Sequence, residues 1–230
     1  EEQAAKDFCV PINHAIDIED KLLPRSSIKE VYDLMEADIK SSIASFKSSR
    51  VEKTIFRPNL ATSYLLASRI ALFRKDYDRA IVYADSVLLS SEASLFDMTE
   101  PYSIPRFLNI GNNEILFSYG EVPSNISAVF QYSSSQRASF IPSTDLMKLY
   151  AANDIRKTST LFFANAGKKP MKYYGTTSEG LYPHAFRLAE VYLNRAEAYA
   201  AKGMTTDALR EVNALREKRI PENHEVTATT

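Results

Sequence analysis

The sequence predicts a mainly all-α protein in which paired helices build an alpha-alpha superhelix, interrupted by long irregular loops and a short β element. Three observations predict it. Apolar residues recur at helical spacing in several stretches between residues 24 and 219. Two of those stretches echo each other at a fixed offset, and prolines and glycines collect in the region between them.

PRSSIKEVYDLMEADIKSSIASF, residues 24 to 46, opens with Ser26 or Ser27 as N-cap, and Glu30 is placed to complete a capping box. Ile28, Val31, Tyr32, Met35, Ile39, Ile43 and Phe46 then lie along one helical face. NLATSYLLASRIALFRK (59 to 75) and DYDRAIVYADSVLLSS (76 to 91) read as two helices joined by a tight polar turn at Lys75 to Asp78, a helical hairpin. Between about 92 and 140, Pro101, Pro105, Gly111, Gly120 and Pro123 exclude a long helix, and EILFSY (114 to 119) reads as a short strand after an Asn-Asn turn. STDLMKLYAAND (143 to 154) is a capped helix and residues 161 to 182 are irregular. Helices return over about 184 to 201 and 205 to 219. His184 falls at the start of the first of these as a capping or packing residue. The expected organisation is a single helical domain over 1–230, with hairpins at about 59–91 and 184–219 around a loop-rich insertion at about 92–183.

Laid over each other with an offset of 128 residues, the two hairpins align Leu60 and Ala61 with Leu188 and Ala189, Tyr64 and Leu65 with Tyr192 and Leu193, and Ala80 with Ala208. Small residues fall where two helices must approach, and large ones fill the groove between. Ala189, Ala196 and Gly203 are spaced by seven, with Ala61 and Ser68 in the corresponding places of the first copy. This alternation is similar to the tetratricopeptide repeat, so the hairpins are expected to be tetratricopeptide-like. The first copy departs from that repeat in carrying Arg74 and Lys75 where it prefers glycine, and the second in carrying Thr205 for the turn tyrosine.

Composition narrows the function. With 28 Lys+Arg against 29 Asp+Glu, a formal net charge of −1 and no long basic run, nucleic acid is not an expected partner. One cysteine, Cys9, and three dispersed histidines, His14, His184 and His224, offer neither a disulfide framework nor metal-ligand spacing, so no metal and no cofactor is expected. Cys9 reads as a small buried hydrophobe. No stretch is long and apolar enough to span a membrane, and EEQAAKDFCV carries neither a signal peptide nor a lipoprotein processing site.

Neither phosphate-cradling glycine motifs nor GxSxG occurs. Glu190 and Glu197 share a helical face, whereas a glycosidase pair must face across a cleft with one carboxyl desolvated. With Arg187 and Arg195 close by, both glutamates read as ion-paired or solvated. Asp154 and Arg156 read as a helix-end ion pair. No residue qualifies as catalytic, and the expectation is a protein that is not an enzyme. The irregular segments instead carry rings: Tyr102, Phe107, Phe130, Tyr132, Tyr173, Tyr174 and Tyr182. An aromatic platform beside a polar side chain such as Gln131 suits a sugar, because the ring covers the C–H face and the polar group satisfies hydroxyls.

HAFRLAEVYLNRAEAYAAKGMTTDALREVNALREKR resembles the signature of the SusD/RagB-like family, in which an RLAExYLxRAEAxAxxG helix precedes a helix ending in NxLRxKR. IPSTDLMKLYAANDIRKT, NNEILFS, RSSIKEVYDLMEADI and NLATSYLLASRIALFRKDYDRAIVYADSVL are similar to upstream segments of the same family, in the same order, so that the resemblance covers about residues 8 to 219. It implies a non-catalytic, surface-exposed lipoprotein of the outer membrane. Such a protein binds an oligosaccharide or polysaccharide and delivers it to a SusC-like TonB-dependent transporter during glycan uptake. Family members are about twice as long, with a lipidated N-terminus, so the chain is expected to be an internal portion of a longer member. The resemblance favours Phe130 and Tyr132 as ligand contacts, with Gln131, Tyr102, Phe107, Tyr173 and Tyr174 as further candidates. The alternative from another class is a tetratricopeptide-like adaptor gripping a peptide or protein partner.

Overall fold

A computed structural model describes residues 2–16, 20–49, 54–104, 107–120, 142–159, 161, 163–164, 169–170, 184–222 and 224–228. The fold is mainly helical. Helix α1 (Ile28–Ser48) begins at Ser27, whose hydroxyl accepts from the Glu30 N–H while the Glu30 carboxylate accepts from the Ser27 N–H, the predicted capping box. Helices α2 (Leu60–Phe73) and α3 (Tyr77–Ser90) form the first hairpin. The Asn59 side chain caps α2 through the Thr62 N–H, and Asp76 caps α3 through the Arg79 N–H.

Strand β1 (Ile115–Tyr119) follows, then the short helices α4 (Thr144–Leu149) and α5 (Ile155–Thr158) and the two-residue strands β2 (Phe163–Ala164) and β3 (Lys169–Pro170), which pair antiparallel. Strand β4 (His184–Arg187) leads directly into α6 (Leu188–Ala201), and α7 (Thr205–Glu217) completes the second hairpin.

The two hairpins stack through α3 and α2 against α6. Their shared core is made of Ala61, Leu65, Ala84, Val87, Leu116, Leu188 and Val191. Small residues allow the approach: Ala80, Ala84 and Ala198 have no exposed surface, and the buried Ser68 hydroxyl donates to the Ala80 carbonyl at 2.9 Å. The turns reproduce the repeat offset. Lys75 (φ 61°) and Gly203 (φ 75°), 128 residues apart, both take the left-handed conformation that ends a helix.

Three expectations shift. The helix expected from about 184 begins at Leu188, because His184 to Arg187 pairs with β1 as a strand. The helix expected over 143 to 154 stops at Leu149. Asp154 instead starts a new short helix by accepting from the Arg156 N–H at 3.0 Å, and a bidentate pair with the Arg156 guanidinium holds it there. Cys9 is half-buried rather than buried, a free thiol whose backbone N–H donates to the Ser26 carbonyl.

Candidate aromatic binding surface

β1 and β4 form a two-stranded antiparallel ribbon with Phe117 opposite Phe186, Ser118 opposite Ala185 and Tyr119 opposite His184. A bulge between Ile115 and Phe117 lets Ile115 and Leu116 both turn inward. Beyond it strict alternation resumes. Ser118 and Ala185 face the interior, Ala185 packing on the cluster of Met98, Phe107, Leu108 and Leu161, while the four rings share the other face.

Those rings touch in series. Phe117 stacks on Tyr119 with centroids 5.3 Å apart and planes 17° from parallel, Tyr119 lies 5.1 Å from His184, and Phe117 lies 5.9 Å from Phe186. Tyr119 is 49% exposed and His184 is exposed, so the outer end of the ladder meets solvent. Next to Phe186 the Arg69 guanidinium lies 4.8 Å from the ring centroid. Arg69 donates through Nε and Nη2 to both carboxylate oxygens of Glu190 at 2.6 and 2.7 Å, and this pairing raises the guanidinium's pKa above its usual value. Nη1 stays out of that pair. The surface therefore combines stacked rings with a fixed donor and acceptor of cancelling charge.

The ribbon is rooted by a buried ionic cluster at its other end. Glu114, with no exposed surface, accepts from Arg187 at 3.2 Å, from the Phe96 N–H at 3.2 Å and from Arg219. Burial draws the Arg219 pKa below its usual value, against the pull of Glu114. Both guanidiniums lie over the Phe107 ring, at 5.3 and 5.6 Å. The Asn59 amide donates to the Leu116 carbonyl at 3.0 Å, fastening β1 to the start of α2.

Phe130, Gln131, Tyr132, Tyr173, Tyr174 and Tyr182 lie outside the described residues. Their segments join the ribbon at its Tyr119 and His184 end, residues 121 to 141 leaving after Gly120 and residues 171 to 183 arriving at His184. Tyr102 is not part of the ladder: its ring packs 5.7 Å from Phe96 and its hydroxyl lies 3.0 Å from the Ser159 hydroxyl. Phe107 is completely buried beneath the ribbon, leaving no face for a ligand.

Phe117, Tyr119, His184, Phe186 and Arg69 are the residues that sequence reasoning missed. The signal was present as rings at i and i+2 in both LFSY and HAFR, but reading HAFR as helix hid it. Among the described residues no three His, Cys, Asp or Glu side chains gather as metal ligands. Glu190 and Glu197 sit seven residues apart on one helix, Glu190 bound to Arg69, and do not face each other across a cleft.

Paired helical hairpins that display an aromatic ribbon define a tetratricopeptide-like helical scaffold. Residues 112–226, half of the chain, match the profile of the SusD family, and the chain belongs to that family. Among solved structures it is similar to a SusD superfamily protein from Bacteroides vulgatus (TM-score 0.73, 20% identity, covering 98% of this chain and 54% of that one). A SusD-like carbohydrate binding protein from Bacteroides vulgatus matches with TM-score 0.71 and 22% identity over 97% of this chain and 50% of that one. The surface glycan-binding protein A of Bacteroides uniformis matches with TM-score 0.61 and 18% identity over 95% and 56%. The chain spans about half the length of these structures. No curated protein sequence matches it.

Proposed function

We propose that this chain is the scaffold portion of a cell-surface glycan-binding protein, which captures an oligosaccharide without chemically altering it and delivers it to a TonB-dependent outer-membrane transporter. The observation that carries the reading is the ring ladder of Phe117, Tyr119, His184 and Phe186, exposed at Tyr119 and His184, beside the Arg69–Glu190 pair. Stacked rings cover the C–H face of a sugar, and the pair beside them supplies a donor and an acceptor for hydroxyls. Membership of the SusD family and the glycan-binding names of two structural relatives support a saccharide as the ligand. Family membership supports placement at the outer-membrane surface, and no described helix is long and apolar enough to cross a membrane. Phe130, Gln131, Tyr132, Tyr173 and Tyr174, in the chain segments that follow Gly120 and precede His184, are proposed as further ligand contacts.

The test is calorimetric titration of the chain with a panel of soluble glycans, repeated with Tyr119→Ala and Tyr132→Ala. Saturable binding weakened by about 1 kcal/mol in each variant is the expected result for loss of one aromatic contact. A second reading, a peptide-gripping adaptor, draws on Val82 and Leu89, which are 60% and 89% exposed and seven residues apart on α3. Absence of glycan binding, with peptide binding lost in Val82→Ser, would favour it.

A further inference from the structure

A groove of about 430 Å³ runs between α2 and α6 and begins at the Arg69–Glu190 pair. That pair is thus a shared wall: Phe186 of the ladder lies against Arg69 on one side, and the groove opens on the other. The size falls within the range of small-ligand clefts, roughly 300–1,000 Å³. Phe73, at the end of α2, is 73% exposed and lines the groove together with Tyr77. Lys75 and Glu197 also line it, and among the described residues neither side chain has an ion-pair partner.

Asn194 lies on the groove lining with its amide orientation fixed. Its Nδ2 donates to the Ser68 hydroxyl at 3.3 Å, which donates onward to the Ala80 carbonyl, and no described group engages the Asn194 Oδ1. The charges on the groove cancel, with Arg69 and Lys75 against Glu190 and Glu197. A neutral lining of exposed ring, fixed amide and uncommitted charged groups is poorly suited to a hydrocarbon ligand or a polyanion. Hydroxyl-rich, uncharged chains suit it, since each hydroxyl both donates and accepts.

We infer that the groove between α2 and α6 is a second saccharide site continuous with the ring ladder, so that one neutral oligosaccharide chain lies across both. This rests on the glycan-binding reading above. From Glu190 to Glu197 the groove follows α6 for about 10 Å at the helical rise, so the ligand is longer than the one or two units the ladder alone would cover.

The experiment uses mono- to hexasaccharides of β-1,4-glucan, α-1,4-glucan, β-1,4-xylan and β-1,4-mannan as probes, with an oligogalacturonide as the acidic counterpart. Affinities are measured for the unaltered chain, Tyr119→Ala, Phe73→Ala and Glu197→Gln. Both groove residues are exposed, so the variants are expected to keep the parent's circular dichroism spectrum and melting temperature. Affinity is expected to climb with chain length in the best-bound series. Phe73→Ala and Glu197→Gln should each weaken the hexasaccharide about three- to tenfold and leave the disaccharide unchanged, while Tyr119→Ala weakens both. If the groove variants bind the hexasaccharide as the parent does and Tyr119→Ala still weakens it, the groove inference is overturned and the ladder reading stands. If nothing in the panel binds, or Tyr119→Ala changes nothing, the ladder reading fails and this inference with it. An oligogalacturonide that binds tighter than every neutral series overturns the assignment of a neutral ligand.

Discussion

Lys75 and Gly203 hold equivalent turns with unequal ease. Both have positive φ, which costs a residue bearing a Cβ about 1–2 kcal/mol and glycine almost nothing. A Cβ at Gly203 would meet nothing within 4 Å, so Gly203→Ala isolates the backbone cost. Denaturant unfolding should show a loss of about 1 kcal/mol, and Lys75→Gly should raise stability by a smaller amount. Glu114 has no exposed surface, and Arg187 and Arg219 both turn to it. Glu114→Gln leaves those guanidiniums without a counter-charge and is expected to cost about 3–5 kcal/mol by the same measurement.

Elements are held to each other as much by side chains at their ends as by packing. Beyond the end of α7, Lys218 donates to the Asp97 carboxylate at 2.8 Å. Burial pushes the Asp97 pKa up, but hydrogen bonds from Lys218 and Thr99 outweigh it and hold the carboxyl below its ordinary 3.8. A lowered folded pKa means that the stabilisation is present above that ordinary value and is lost as pH falls through the lower, folded one. Lys218→Met should therefore be less stable than the parent at about pH 5, with the gap between their urea midpoints closing as pH falls to about 2. The helices themselves were legible in sequence, because capping residues and a 3.6-residue period are local signals: Ser27, Asn59, Asp76 and Ser143 each cap a helix of the structure. The β1–β4 ribbon was half legible. EILFSY announced itself through β-forming residues after a turn, whereas HAFR is four residues long and fused to a strong helical pattern, and its partner strand lies 65 or more residues away. The aromatic ladder depends on that pairing, so its rings, read in a lone strand and at the start of a helix, were not brought together. Phe107 was misjudged for the related reason that a ring in a Pro- and Gly-rich segment gives no sign of being buried.

At the scale of the molecule, two similar hairpins flank a region that returns to them through the ribbon, and three segments of the family resemblance meet at one carboxylate. NNEILFS supplies Glu114, HAFRLAE supplies Arg187, and NALREKR supplies Arg219. Those partners are 73 and 105 residues from Glu114 along the chain. Closing such spans is entropically costly before any contact rewards it, whereas each helical hairpin closes a short loop. The carboxylate cluster is thus set late on the folding route, after the hairpins have formed. Glu114→Gln should then leave the refolding arm of a chevron nearly unmoved and steepen the loss on the other side, with unfolding accelerated by almost the whole of its destabilisation. The lifetime of the folded chain, more than the speed at which it is reached, is thus expected to depend on this buried acid.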